Sequence, residues 1–201
     1  QITDTFGSDA FRYYFMKAIS FGQDGSFSWE DLASRYQSEL ANGFGNLASR
    51  SLAMIGRYFD GIVPTPGDYT AEDQNIIDIA KKATEDADAA IEKVAIQDAI
   101  TNIWTLVDAL NNYITVTEPW VLAKDEAKRE RLQTVLYVCA EGLRVLSVLM
   151  NPITPKATAK LWSALTNGSL GNIDDATTES AANWGVLAAG AKIGELEPLF
   201  P

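Results

Sequence analysis

The sequence predicts an all-α protein, an antiparallel helical bundle. Apolar residues recur at helical spacing along several long segments, helix start and stop residues bound those segments, and the connections between them are short. A first short helix covers residues 8–19, with Ser8 as N-cap and Gly22 closing the segment beyond it. Residues 22–27 form a turn-rich junction. Ser28 opens the next helix, and Ser28-Trp29-Glu30-Asp31 has the form of a capping box with Asp in place of Glu or Gln. This helix is predicted to run to about Asp60, with Gly61 beyond its end, and its apolar stripe is Tyr36, Leu40, Phe44, Leu47, Met54, Ile55 and Tyr58. Gly43 and Gly45 interrupt it at about 1 kcal/mol each relative to Ala, marking a kink or a place of close approach.

Pro64-Thr65-Pro66-Gly67 is a loop. Thr70 with Asp73 begins a helix whose pattern reaches about Val94 through Ile76, Ile77, Ile79, Ala80 and Ile91. Another helix covers about 97–116, with Ile100, Ile103, Val107, Leu110 and Ile114 on one face, and Pro119 breaks it. Asp125 caps a helix over about 126–149 that carries Leu132, Leu136, Cys139, Leu143, Leu146 and Met150 in phase. Thr154-Pro155 starts a further one, ending near Asn167-Gly168. Residues 168–201 carry weak signals, with a turn of helix expected at 179–183 and irregular chain otherwise.

Composition excludes much chemistry. The 201 residues include no histidine and one cysteine, Cys139. Ser-His-Asp and Cys-His pairs, histidine acid–base work, an internal disulfide and cysteine zinc sites are all excluded. Asp86 and Asp88 fall on different helix faces, and no Gly-rich phosphate loop follows a strand. The chain by itself is expected to catalyse nothing. It is expected to be a piece of something longer, opening on Gln1 without a signal peptide, and no apolar run approaches the roughly 18 residues of a membrane span. A lone free cysteine suits a reducing cytoplasm.

The formal charge is −11, which by itself argues against nucleic acid. It is unevenly placed. Residues 61–98 hold three basic and nine acidic residues, whereas 99–160 hold seven and six. A solvated acidic face is the simple reading. Between Ala33 and Arg57, Arg35, Arg50 and Arg57 stand against Glu39 alone. Asn46 and Arg50 lie one turn apart, about 40° around the axis, with Gly43 and Arg57 in the same sector. An amide and a planar guanidinium can bond base edges, although capping or an internal ion pair would use the same residues. Trp120, after Glu118-Pro119, sits at a helix break, where it could stack an unpaired base or fill the end of the bundle. Trp29, Trp104, Trp162 and Trp184 read as core or staple residues.

Taken together, these segments resemble a known family. Thr5-Phe6-Gly7-Ser8-Asp9-Ala10-Phe11-Arg12-Tyr13-Tyr14-Phe15 is similar to the stretch following the KMSKS loop of class I aminoacyl-tRNA synthetases. Phe21 to Ser28, Leu40-Ala41-Asn42, Gly45 to Arg50, Asn112-Tyr113-Ile114, Pro119 to Lys124 and Glu197 to Pro201 narrow the resemblance to the methionyl-tRNA synthetases. Phe44 between the glycines and Ser51-Leu52 after the arginine depart from the pattern. The resemblance implies a stem-contact remnant over residues 1–26 and an α-helical anticodon-binding domain over 27–201. It implies that Asn46 and Arg50 read bases of the CAU anticodon and that Trp120 stacks on the first. It also implies methionine tRNA and the catalytic domain of the parent chain as partners, with neither membrane nor DNA. The parent would join methionine to its tRNA with ATP and magnesium in the cytoplasm. The HIGH and KMSKS motifs and the zinc-bearing insertion are absent from these residues, so no cofactor is expected here. The alternative is a helical interaction or scaffold module without RNA binding.

Overall fold

The computed structural model describes residues 2–20 and 22–201. Gln1 and Phe21, the latter opening one of the motifs above, lie outside the described residues. The order is α1 (Ile2–Ala18), α2 (Trp29–Arg35), a π-helical segment (Tyr36–Gly45), α3 (Asn46–Phe59), α4 (Ala71–Glu92), α5 (Ile96–Thr117), α6 (Pro119–Leu122), α7 (Arg129–Met150), α8 (Pro155–Thr166) and α9 (Thr178–Ala182). Among the described residues there is no β-strand, only an isolated bridge between Ile62 and Lys192.

Most boundaries follow the local chemistry. Ser28 accepts the Asp31 N–H at 3.2 Å. The chain leaves α3 through left-handed Asp60 and Gly61. Pro155 occupies the first turn of α8, and left-handed Asn167 ends it. Asp125 caps a single 3-10 turn, Glu126–Lys128, before α7 begins. Helix also extends N-terminal to Ser8, through Ile2, and breaks at Gly7, whose φ of 82° suits a residue without Cβ.

The helix expected from Ser28 to Asp60 is continuous, but its middle is wound as a π-helix. The Asn46 N–H bonds the Ala41 carbonyl five residues back. The glycines therefore mark no break, and Gly45 is a place of close approach, where a Cβ would meet the Phe200 ring at 3.3 Å. Gly43 instead offers its carbonyl to the Asn111 amide of α5 at 3.1 Å. The wider winding removes Gly43 from the phase that an ideal α-helix would give it relative to Asn46.

α7 is the centre of the molecule. Every residue from Thr134 to Met150 is buried, and α3, α4, α5, α6, α8 and α9 all pack on it. By length and composition Glu126–Met150 is apolar enough to cross a membrane, contrary to the expectation that no segment comes near it. However, 94% of its most apolar 18-residue stretch is buried inside the protein, which makes it a core helix. Gly142 lets α5 approach: a Cβ there would meet a Leu110 methyl at 2.7 Å.

α4 faces the core through Ile76, Ala80, Ala83, Ala87 and Ala90. Ile91 and Val94, expected on this stripe, are exposed. Alanines bring α4 close to α5, and the chain turns away at left-handed Val94. Trp29, expected as a core or staple residue, is 47% exposed and so is not in the core.

Buried polar groups tie the pieces together. Asp73, wholly buried, closes the Thr70 capping box at 2.9 Å. It also accepts Tyr113 Oη at 2.5 Å and both Arg131 terminal nitrogens at 2.6 and 3.1 Å. The start of α4 is thereby joined to the end of α5, so these two helices run antiparallel. Glu141 and Arg144 form a buried pair on α7. Glu141 accepts the N–H groups of Gly185, Val186 and Leu187, while Arg144 donates to the carbonyls of Ser180 and Asn183. The weakly patterned tail is held by this pair. α1 is fixed similarly: Asp9 accepts the Ala157 N–H in the first turn of α8, and Arg12 donates to Pro152 and Ile153 carbonyls.

Two consequences follow for stability. Burial raises the Asp73 pKa, but the Arg131, Tyr113 and Thr70 bonds outweigh it and hold the carboxyl below its ordinary value. Its contribution is therefore full above the unfolded carboxylate pKa of about 3.9 and is lost as pH falls through the lower folded value. Asp73→Asn should cost about 3 kcal/mol at pH 7, the low end for a broken buried pair because Arg131 keeps some water contact. Urea unfolding of both proteins at pH 7 and pH 3 should show that gap narrowing in acid. Glu141→Gln should speed hydrogen exchange at Gly185, Val186 and Leu187 at least tenfold, with α5 amides unaffected.

Candidate nucleic-acid interface

The exposed side of α3 carries Asn46 at its first residue, Arg50 one turn later and Arg57 two turns beyond. Because α3 is regular α-helix, these three keep the predicted sector of about 40°. Leu47, Ala48, Ser51, Leu52 and Ile55 on the other side are buried against the core. Asn46 is exposed, and its side chain makes no hydrogen bond to another described residue.

Trp120 reaches this surface through the helix break. Glu118 is left-handed (φ 44°), Pro119 is buried in the first position of α6, and the Leu122 N–H returns to the Glu118 carbonyl at 3.2 Å. This turn leaves Trp120 36% exposed, while α6 packs on α7. The Arg50 guanidinium carbon lies over the ring, 5.9 Å from its centroid. Arg50 and Trp120, 70 positions apart, are thus in contact, with Asn46 a turn away. Arg50 forms no ion pair with a described carboxylate.

The arrangement offers an unpaired amide, a guanidinium and an aromatic face on one rigid surface. Those are the groups that bond and stack unpaired bases. The acidic helix α4 spends its cations on itself, Lys81 pairing with Glu85 and Lys82 with Asp86. Beside the interface, an open groove of about 760 Å³ runs between Ser49, Ala53 and Gly56 of α3 and residues 192–196.

Comparison with known proteins places the chain in a family. Residues 73–189 match the family described as the anticodon-binding domain of tRNA ligase, and residues 1–52 match class I tRNA synthetases of the methionine type. The chain belongs to the tRNA-ligase anticodon-binding family. It is 48% identical over 204 residues to a methionine–tRNA ligase of Streptomyces coelicolor, covering all of this chain and 38% of that protein. It is 40% identical over 201 residues to the one from Caldanaerobacter subterraneus, covering 31% of it. The crystal structure of the free-state Mycobacterium tuberculosis methionyl-tRNA synthetase matches with a TM-score of 0.91 at 32% identity, over the whole chain and 40% of that one. The chain therefore corresponds to a methionyl-tRNA synthetase C-terminal region, and spans less than two fifths of the length of these relatives.

The structure brings Arg50 and Trp120 together with Asn46 a turn away, and sequence reasoning missed what supports them. The Asn111 clamp on Gly43, just ahead of Asn46, has no local signature. Nor does Cys139, which lies on α7 beside Ser51 and so backs Arg50 from inside. Burial pushes the Cys139 thiol up to about 12. At pH 8 it should react with Ellman's reagent on the order of a thousandfold more slowly in the native protein than in urea. Fast native reaction would mean that α3 lifts from α7.

Proposed function

We propose that this chain recognises the CAU anticodon of methionine tRNA on behalf of a methionine–tRNA ligase. The observation that carries the reading is the Arg50–Trp120 contact beside an unpartnered Asn46: it joins a residue of the segment matched to the class I synthetases to one of the matched anticodon-binding domain. Trp120 offers its ring to the first anticodon base. Arg50 and Asn46, a turn apart, bond base edges of the others. The bases would be held splayed from their own stack, with stacking on Trp120 supplying about 1–3 kcal/mol.

Residues 1–26 act as the stem-contact segment that couples this surface to the catalytic domain, and residues 27–201 as the recognition domain. The anchoring of α1 to α8 through Asp9 and Arg12 supports a stiff coupling. The whole ligase would join methionine to tRNA in the cytoplasm, consuming ATP with magnesium. No His, Cys, Asp or Glu side chains gather in threes as a metal site among the described residues. ATP and magnesium would be held by other parts of the ligase.

Binding of a methionine anticodon stem-loop, followed by tryptophan fluorescence and anisotropy, tests the reading. Trp120→Ala and Arg50→Ala should each weaken binding to the CAU loop about tenfold or more, and to a scrambled loop by less than threefold. Lys82→Ala on α4 should change neither. Equal loss on both loops would remove base recognition from these residues. No binding to either loop by the unaltered chain would favour a scaffold without RNA.

A further inference from the structure

The seven arginines divide by what they face. Arg35, Arg131 and Arg144 pair with carboxylates, and Arg12 donates to backbone carbonyls. The other three face aromatic rings: Arg50 over Trp120, Arg57 over Tyr58 at 5.7 Å, and Arg129 over Phe59 at 4.7 Å. Every arginine–ring contact among the described residues lies along α3. Arg57 sits in the same sector as Arg50, about 10 Å further along the axis. Arg129, at the start of α7, meets Phe59, the last residue of α3, on the core-facing side of that helix, and so stands at the same end of α3 as Arg57. Both are exposed. Asp60, Glu126 and Glu130 are close in sequence, yet none forms an ion pair with either.

A guanidinium held over a ring spends none of its N–H donors on a carboxylate there. In a chain of net charge −11, Arg50 and Arg57 along α3 and Arg129 at its end are three guanidiniums that no carboxylate ion pair takes up. We propose that the interface continues past Arg50 to Arg57 and Arg129 as a track for RNA backbone phosphates flanking the anticodon. This rests on the anticodon reading for its RNA and adds a function the bases do not supply. Phosphate contacts carry no sequence information; they fix register, add affinity and make it salt-dependent. Lys192, whose Nζ donates to the Asp60 carbonyl at 2.5 Å, stands at the same end and leaves two donors unspent.

The experiment measures binding of the anticodon stem-loop against salt concentration for the chain and for Arg57→Gln, Arg129→Gln and the double variant. Each substitution should lower the slope of log affinity against log salt by roughly 0.7–0.9, and the double variant by about twice that. The loss should be the same, within twofold, for CAU and scrambled loops. Arg57→Lys and Arg129→Lys should keep the slope. Lys81→Gln should also leave it unchanged. An unchanged slope in the double variant overturns the track. If losing the Phe59 contact unfolds that variant, Arg57→Gln alone must show its single step or the track is overturned. A chain that never prefers CAU but still loses slope would overturn the anticodon reading and leave the phosphate track standing.

Discussion

Burial of α7 is the constraint on which the rest depends. A helix enclosed from Thr134 to Met150 cannot hydrate any polar atom it carries, so each must be answered from within. Glu141 and Arg144 are answered by each other and by the tail backbone, which gives residues 180–187 a fixed path despite their weak helical character. Gly142 is answered by Leu110, setting how near α5 comes. α3 and α6 lie on the same helix, which is how Arg50 and Trp120 meet. Their contact is a property of the core as much as of the surface.

The charge distribution follows a similar logic. Excess acid is placed on α4, where lysines one turn away offset part of it, and on the tail. Along α3 the guanidiniums are kept from carboxylates and rested on rings. That costs little in stability, since an exposed ion pair is worth only a few tenths of a kcal/mol, and it leaves the donors for an anionic partner. Net charge therefore says little about partners in this molecule; the pairing of each cation says more.

What could be read from the sequence was local. Thr70 with Asp73 announced a helix start, Pro119 a break and Asn167 a stop, because each acts within a few residues. The partners of Asp73 could not be read, because Tyr113 and Arg131 come from elements 40 and 58 positions away. Ile91 and Val94 misled because periodicity counts apolar residues, while packing chose the smaller alanines that bring α4 against α5. The π-helical winding of Tyr36–Gly45 has no residue signature beyond two glycines. At the site, the one-turn spacing of Asn46 and Arg50 and the break before Trp120 were legible, but capping, an internal ion pair or a core position fitted the same residues, and only the family resemblance turned them toward bases. The Arg50–Trp120 contact, and the placing of Arg129 over Phe59, depend on how α6 and α7 dock on α3.

The central claim, that Asn46, Arg50 and Trp120 meet the anticodon, is tested most directly by NMR. Indole and guanidinium N–H signals would be followed while a CAU stem-loop is titrated into the chain. The Trp120 indole and Arg50 Nε signals should shift most, with those of Trp162 and Trp184 unmoved. Large shifts confined to Trp29 or to α4 amides, with Trp120 unchanged, would contradict it.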